Sequence, residues 1–440
     1  MTARLLNIFS NWKHYFAAVG TGHALLGLQA VVQIMLVPAY LGTIGKSAFG
    51  ILALITAFSA TCNISINALQ GIMVRNLALN AALEDFVSTK KYFLATRVFL
   101  FVYFTLASII LASLAYTFHI FHSFNIPSQI DLKIVIAFAA LNLLAQGILS
   151  AEYYMLSSIR QQALGHLYYI FSVLLFAALV LPWLHSGGNL EGVVAAQFFS
   201  TTMAALLAAI RRRKRLLRLS APLALRDVIG TAGNFLRRDG RRYLAYGLVL
   251  AMLQADVILV GFLGGPDAAA EFTIVWKIAE VILLALWRFS DSLQPEILIM
   301  EAHGQYSAIR QTYVRGFPVM VVIALTVGVT YALASPAIVN LWVGRSAVSG
   351  PPYVFWAAGA GIFWLGIARH STVFPFTLAR LERLTRIALV ELTLRGAIAI
   401  SLFTTLGYAA NLIAINVTHG LGVAWAYMVL TRRVTQVPRV

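Results

Sequence analysis

A run of about 20 apolar residues is long enough to cross ~30 Å of hydrocarbon as an α-helix, and this chain holds about twelve of them. They lie roughly over 15–41, 47–72, 92–118, 132–157, 164–184, 191–210, 243–264, 271–299, 313–342, 353–379, 387–408 and 410–430. The pattern predicts an all-α integral membrane protein. Composition agrees: 60% of the residues are hydrophobic, 11% are charged and the mean hydropathy is +0.82, a balance that excludes a soluble globular domain. The opening residues, MTARLLNIFSNWKHYF, lack a short apolar core followed by a small-residue cleavage site, so no cleaved signal peptide is expected. One cysteine, Cys62, excludes an intramolecular disulfide and a cysteine-based metal cluster. No spacing of His, Asp and Glu resembles a metal site.

The net charge of +17 raises the possibility of a nucleic-acid partner, but its distribution argues for membrane topology instead. Most of the 33 lysines and arginines fall before the first run, in alternate connections and after the last run, whereas the opposite connections hold only Lys46, Lys133 and Arg345. That asymmetry predicts cytoplasmic termini and no nucleic-acid role. The long segment 211–242, RRRKRLLRLSAPLALRDVIGTAGNFLRRDGRR, divides the chain into six-helix halves, 1–210 and 243–440. It reads either as a linker whose charge fixes orientation or as a surface helix that holds anionic lipid headgroups. The remaining outer connections are too short for a folded domain.

The halves resemble each other. Leu41-Gly42, Phe49 and Ala68-Leu69-Gln70-Gly71 recur as Leu263-Gly264, Phe272 and Ser292-Leu293-Gln294-Pro295 at a nearly constant offset. A duplicated unit of even helix number keeps its orientation, which predicts two pseudo-symmetric lobes with a site between them.

Charges inside the apolar runs are the functional candidates, because each costs about 2.5–3.5 kcal/mol to insert at a helix centre. Lys277, Glu280, Arg288 and Asp291 share one face of the eighth run, with Leu284 filling the gap. They read as a wet cavity for a charged substrate or ion, or as two local pairs, Lys277–Glu280 and Arg288–Asp291. Arg369 lies deep in the tenth run, followed by His370, without an acidic residue at helical spacing. Snorkelling would need a reach of about 15 Å. Arg395 in the eleventh run has Glu391 four residues before it, suited to a simple pair. Asp256 and Lys277 lie at similar depths in successive runs, which predicts an Asp256–Lys277 pair acting as a gate, a proton-coupling element or a brace. Polar stripes occur at Asn63, Asn67 and Gln70 in the second run and at Asn142, Gln146, Ser150 and Tyr153 in the fourth. These suit sugar binding or interhelical hydrogen bonding. Glu152 reads as an interfacial carboxylate, His23 as a satisfied interior histidine, and Trp287 and Trp364 as packing or as sugar-stacking rings.

The first run and its turn (Gln33, Pro38, Leu41-Gly42, Gly45, Phe49-Gly50) and the stretch DVILVGFLGG from Asp256, with Phe272, Lys277, Pro295 and His303-Gly304, resemble the polysaccharide transporter family, the Wzx-like lipid-linked oligosaccharide flippases of the MOP exporter superfamily. In that family a tyrosine commonly stands where this chain has Phe272, so no role for its hydroxyl carries over. The resemblance implies a V-shaped, MATE-like transporter of about twelve helices in the bacterial inner membrane. Its substrates would be polyprenyl-pyrophosphate-linked glycans for surface polysaccharide, and its partners membrane lipids and polysaccharide polymerase or glycosyltransferase machinery.

On that reading Arg369, Arg288, Lys277 and Arg395 would bind pyrophosphate, and Asn63, Asn67, Gln70, Asn142 and Gln146 would line the path of the sugars. Asp256, Asp291 and Glu280 would gate the cycle or couple it to H⁺ or Na⁺, with no other cofactor. The alternatives are a cation-coupled multidrug antiporter of the same superfamily and a membrane glycan polymerase or glycosyltransferase. The enzyme reading lacks the large outer loop, or the acidic pair beyond the first helix, that such enzymes usually display. A non-enzyme is therefore expected.

Overall fold

The computed structural model describes residues 2–435 apart from 83–84, 122–129, 160, 217–223, 236, 238, 254 and 345–346. Part of the basic segment 211–242 thus lies outside the described residues. The chain is all-helical, and no strand occurs among the described residues. The elements are α1 (Thr2–Thr43), α2 (Lys46–Ala82), α3 (Phe86–Phe121), α4 (Leu132–Ser158), α5 (Gln162–His185), α6 (Leu190–Leu216) and α7 (Leu225–Asn234). They continue with α8 (Asp239–Leu253), α9 (Asp256–Asp291), α10 (Gln294–Ala302), α11 (Tyr306–Val343), α12 (Tyr353–Thr377), α13 (Leu381–Leu406), α14 (Ala409–Thr418) and α15 (Ala424–Val434).

Why these helices belong in a bilayer is visible on α3. Leu100, Phe104, Ala107 and Leu111 are buried on one face, while Phe101, Val102, Leu106, Ile109 and Ile110 stand exposed on the other. A helix apolar on both faces with one face uncovered is stable only against hydrocarbon. The same holds for α11, where Val319, Val322, Leu325 and Leu333 are exposed behind buried Met320, Ala324 and Tyr331. Ten described stretches are long and apolar enough to span, and the chain is a multi-pass membrane protein. One of them, Gly240–Leu298, takes in both the seventh and the eighth expected runs; Tyr353–Thr377, which carries Arg369 and His370, is not among the ten.

The seventh and eighth runs differ from the expectation of two plain helices joined by a loop. The seventh is broken: α8 stops at Leu253 and α9 starts at Asp256. The two runs then continue within α9 through a kink at Gly265, whose φ of 82° and ψ of −178° suit glycine, followed by Pro266. The twelfth run is also irregular, because a π-helical turn, His419–Val423, separates α14 from α15, with Gly422 at φ 133°. Outside the membrane, Asp85 caps α3 by accepting from the Ser88 backbone N–H at 2.9 Å, which holds its carboxyl below the ordinary aspartate range.

Packing divides the chain into two compact units, 1–48 with 66–244 and 49–65 with 245–440. In the first, α4 packs on α3, α5 and α6, α1 on α5, and α7 on α3. In the second, α12 is central, meeting α9, α11, α14 and α15. Its seam with α11 is built on glycine: a Cβ on Gly328 would collide with the Gly359 carbonyl, and one on Gly359 with the Gly328 carbonyl. Small residues let membrane helices approach this closely, which replaces the hydrophobic drive that lipid removes. We predict that Gly359→Leu lowers the thermal midpoint of the purified protein and the yield of folded protein, whereas Gly396→Leu, with nothing within 4 Å, leaves both unchanged.

Candidate functional site

The second unit gathers the intramembrane charges into three groups. The deepest forms at the break in the seventh run. Breaking a helix in hydrocarbon orphans the last carbonyls of one piece, and no water is at hand to satisfy them. Arg395 of α13 fills that need. Its Nη1 donates to the Leu253 carbonyl at 3.0 Å and its Nη2 to the Asp256 carboxylate, one oxygen on either side of the break. Both members of the pair are nearly sealed, with side-chain exposures of 5% and 11%.

One turn earlier on α13, Glu391 accepts from the Tyr427 hydroxyl of α15 at 2.7 Å. Its other oxygen lies 3.5 Å from His419 Nε2 on the π-helical turn, longer than a well-formed hydrogen bond. His419 Nδ1 lies 2.9 Å from the Ile415 carbonyl, an acceptor, so Nδ1 carries a hydrogen. Nε2 and the carboxylate therefore attract only when one further proton sits on either of them. With His419 neutral, Asp256, Glu391 and Arg395 sum to −1.

The second group is more open. Arg369 of α12 grips Asp291 of α9 through Nε at 3.0 Å and through Nη2 at 2.7 and 2.9 Å, with side-chain exposures of 24% and 23%. The Trp287 ring lies 5.8 Å from the guanidinium carbon, a cation–π distance. Arg288, one turn before Asp291, is exposed and has no ion pair among the described residues. Asp291, Arg369 and Arg288 thus carry +1. Tyr246 of α8 lies in electrostatic reach of Arg369, Asp291 and Glu391. Behind Arg369, buried His370 meets Ser290 through Nδ1 at 3.3 Å. The third group is the Lys277–Glu280 pair at 3.0 Å.

Three pairings expected from sequence are therefore corrected. Asp256 pairs with Arg395 and not Lys277, because the helix break presents it to α13. Glu391 turns to Tyr427 and His419 instead of Arg395. Arg288 does not pair with Asp291, because the planar Arg369 fork takes both carboxylate oxygens. Arg369 itself has a counter-ion, supplied across helices where sequence spacing cannot show it. The Lys277–Glu280 pair is as the spacing predicts.

The first unit holds an uncharged polar cluster. Tyr153 Oη lies 3.1 Å from His166 Nε2 and accepts from Gln162 at 2.9 Å, while His166 Nδ1 lies 3.1 Å from the Thr21 hydroxyl. Tyr154 donates to the exposed Asn67 amide at 3.3 Å, joining α4 to α2, and Ser150 lies 3.3 Å from the Tyr169 hydroxyl. Asn142 is buried and Gln146 and Gln70 are half-buried. Asn63, packed with the second unit, donates to Ser59 of its own helix at 2.8 Å. Sequence reading passed over His166, His419, Tyr427 and Tyr246. The one available signal was THGLG, a histidine followed by two glycines in the twelfth apolar run. Among the described residues no three His, Cys, Asp or Glu side chains gather to hold a metal.

No protein-family model matches the sequence, and neither does any curated protein. Solved structures do resemble it. An inward-facing multidrug resistance MATE family transporter of the MOP superfamily aligns with a TM-score of 0.70 at 13% identity, over 94% of each chain. The eukaryotic MATE transporter AtDTX14 aligns at 0.66 and 13% identity, over 97% of this chain and 98% of its own. The bent form of the Vibrio cholerae MATE transporter VcmN aligns at 0.57 and 13%, over 97% and 98%. The chain shares the fold of these MATE transporters. At these identities the likeness is one of fold.

The buried brace generates a prediction. Removing one partner of a sealed ion pair typically costs about 3–5 kcal/mol, since the other charge stays buried alone. Asp256→Ala should therefore lower the thermal midpoint strongly, and the double variant Asp256→Ala/Arg395→Met should recover much of the loss. Arg395→Lys should fall between, because an ammonium on a flexible stem replaces the planar fork at the Leu253 carbonyl and Asp256. Thermal melts of the four purified proteins at matched detergent and lipid measure this.

Proposed function

We propose that this chain transports its substrate by alternating access and flips polyprenyl-pyrophosphate-linked oligosaccharides from the cytoplasmic to the outer leaflet of a bacterial inner membrane. The observation that carries the reading is the half-open Arg369–Asp291–Arg288 group with its surplus positive charge. Carboxylate and phosphate present the same paired oxygens to a guanidinium fork. Asp291 thus holds Arg369 in the geometry a phosphate needs, and an incoming pyrophosphate, with more charge, displaces it while engaging Arg288. Release returns Asp291 to Arg369, so the site resets without leaving an uncompensated arginine. Arg395 is already committed to Leu253 and Asp256, and is assigned to bracing instead of substrate. The uncharged Tyr153–His166–Gln162 and Tyr154–Asn67 groups suit a neutral glycan, whose hydroxyls match hydroxyl and amide partners and whose C–H faces match rings.

A second reading, a cation-coupled multidrug antiporter, is favoured by the −1 group at Asp256, Glu391 and Arg395 and by the solved structures, several of which are multidrug MATE transporters. Transport rather than catalysis is common to both.

Complementation of cells lacking their own glycan flippase separates them, at matched membrane expression. We expect wild type to restore surface glycan, Arg369→Ala to abolish it, and Arg369→Lys to restore little, because a point charge cannot reproduce the fork. Asp291→Ala should bind substrate but turn over slowly, since nothing displaces the pyrophosphate. A chain that restores no glycan yet lowers drug sensitivity belongs to the antiporter reading.

A further inference from the structure

The helix α7 has an apolar arc wider than the protein covers. Val228, Thr231 and Ala232 are buried, with Phe235 just beyond them against Tyr92 and Phe99 of α3. On a helical projection at 100° per residue, Leu225 and Ile229 fall on the flank of that arc, next to the buried face. They are 69% and 53% exposed. Beyond them on the projection come Gly233 and Arg226, and then Gly230, Asn234 and Asp227, all exposed, as are Arg237, Arg241 and Arg242 past the helix end. With ten residues, α7 is about 15 Å long, too short to span, and it lies between the candidate spans Leu190–Arg211 and Gly240–Leu298.

We infer that α7 is an interfacial helix that seats Leu225 and Ile229 in the acyl boundary and binds anionic phospholipid headgroups with Arg226 and Arg237. Two apolar side chains left uncovered at the edge of a membrane protein, with arginines flanking them, match a bilayer surface in both chemistry and order: acyl chains first, then headgroup charge. Arg226 and Arg237 outnumber exposed Asp227 and favour a negative partner. The attraction is short-ranged, falling off within about 8 Å at physiological salt, so it acts on lipids at the helix itself. The assignment is independent of what the transporter carries.

Site-directed spin labelling tests it on the full chain in vesicles. Single cysteines replace Leu225, Ile229 or Gly230 in a Cys62→Ala background, and the nitroxide's collision rates with oxygen and with a water-soluble nickel chelate report its depth. In phosphatidylcholine vesicles containing phosphatidylglycerol we expect labels at 225 and 229 to favour oxygen, and the label at 230 to favour the chelate. Pure phosphatidylcholine, high salt, or Arg226→Gln/Arg237→Gln should reduce the immersion, with lipid affinity falling about fivefold per arginine removed. Arg432→Gln/Arg433→Gln, distant in sequence and equally basic, should not reduce it. Chelate-accessible labels at 225 and 229 in the anionic vesicles would overturn the inference, and so would equal immersion in both lipids. Labels shielded from both reagents would also overturn it, in favour of a protein covering the face.

Discussion

A membrane helix that stops in mid-bilayer has to find partners for its loose carbonyls inside the protein, and that constraint organises the second unit. The break between Leu253 and Asp256 is tolerated because Arg395 donates to both sides of it. The guanidinium is suited to this: it is planar, always charged and offers several donors in fixed directions. Asp256 in turn supplies the counter-charge that keeps Arg395 from being a lone buried cation. Neither the break, the arginine nor the aspartate is stable in hydrocarbon without the other two.

The same chemistry appears again at Arg369–Asp291, and burial separates the roles. The Arg395–Asp256 pair is nearly sealed, so exchanging a partner would strand a charge away from water at a cost of several kcal/mol. Arg369 and Asp291 keep about a quarter of their surface open. Water or an incoming anion can reach them, and the exchange energy falls accordingly. A sealed pair holds a backbone in place, whereas an open one can trade its carboxylate for a phosphate.

The helical architecture was legible in the sequence because apolar length alone specifies it: a run of 20 residues has no other way to satisfy its backbone in lipid. What escaped were features set by contacts between distant segments. Arg369 and Asp291 are 78 positions apart, and Arg395 and Asp256 are 139 apart. Spacing rules see only neighbours on one helix, so they paired Glu391 with Arg395 and Arg288 with Asp291. The break before Asp256 was invisible for a related reason. Met252, Leu253, Ala255 and Val257 are ordinary helix residues in lipid, and the partner that satisfies the break, Arg395, lies more than 130 positions away. His166 was missed because a single histidine in the fifth apolar run has no pattern; Tyr153, Gln162 and Thr21 give it meaning from three helices.

Two irregular backbones, the break before α9 and the π-helical turn before α15, meet the same short piece of α13. Arg395 serves the first, and Glu391, one turn away, faces His419 in the second. Val249 and Leu253 pack on Ala388 of that helix as well. Sliding α13 relative to α9 and α15 by one helical turn, about 5.4 Å, would strip both irregularities of their partners at once. Intermediate positions would leave a carbonyl or a carboxylate orphaned in a dry interior. The penalty makes partial movement costly and full repacking the only alternative to rest, which is the condition for a two-state element. A proton added to His419 or Glu391 would act on that element directly. Adding it strengthens the α13–π-turn contact, and removing it leaves a net negative group that favours letting water or a cation in. A proton or cation arriving at Glu391 and His419 would therefore act on α13, apart from the open arginine proposed to hold the substrate.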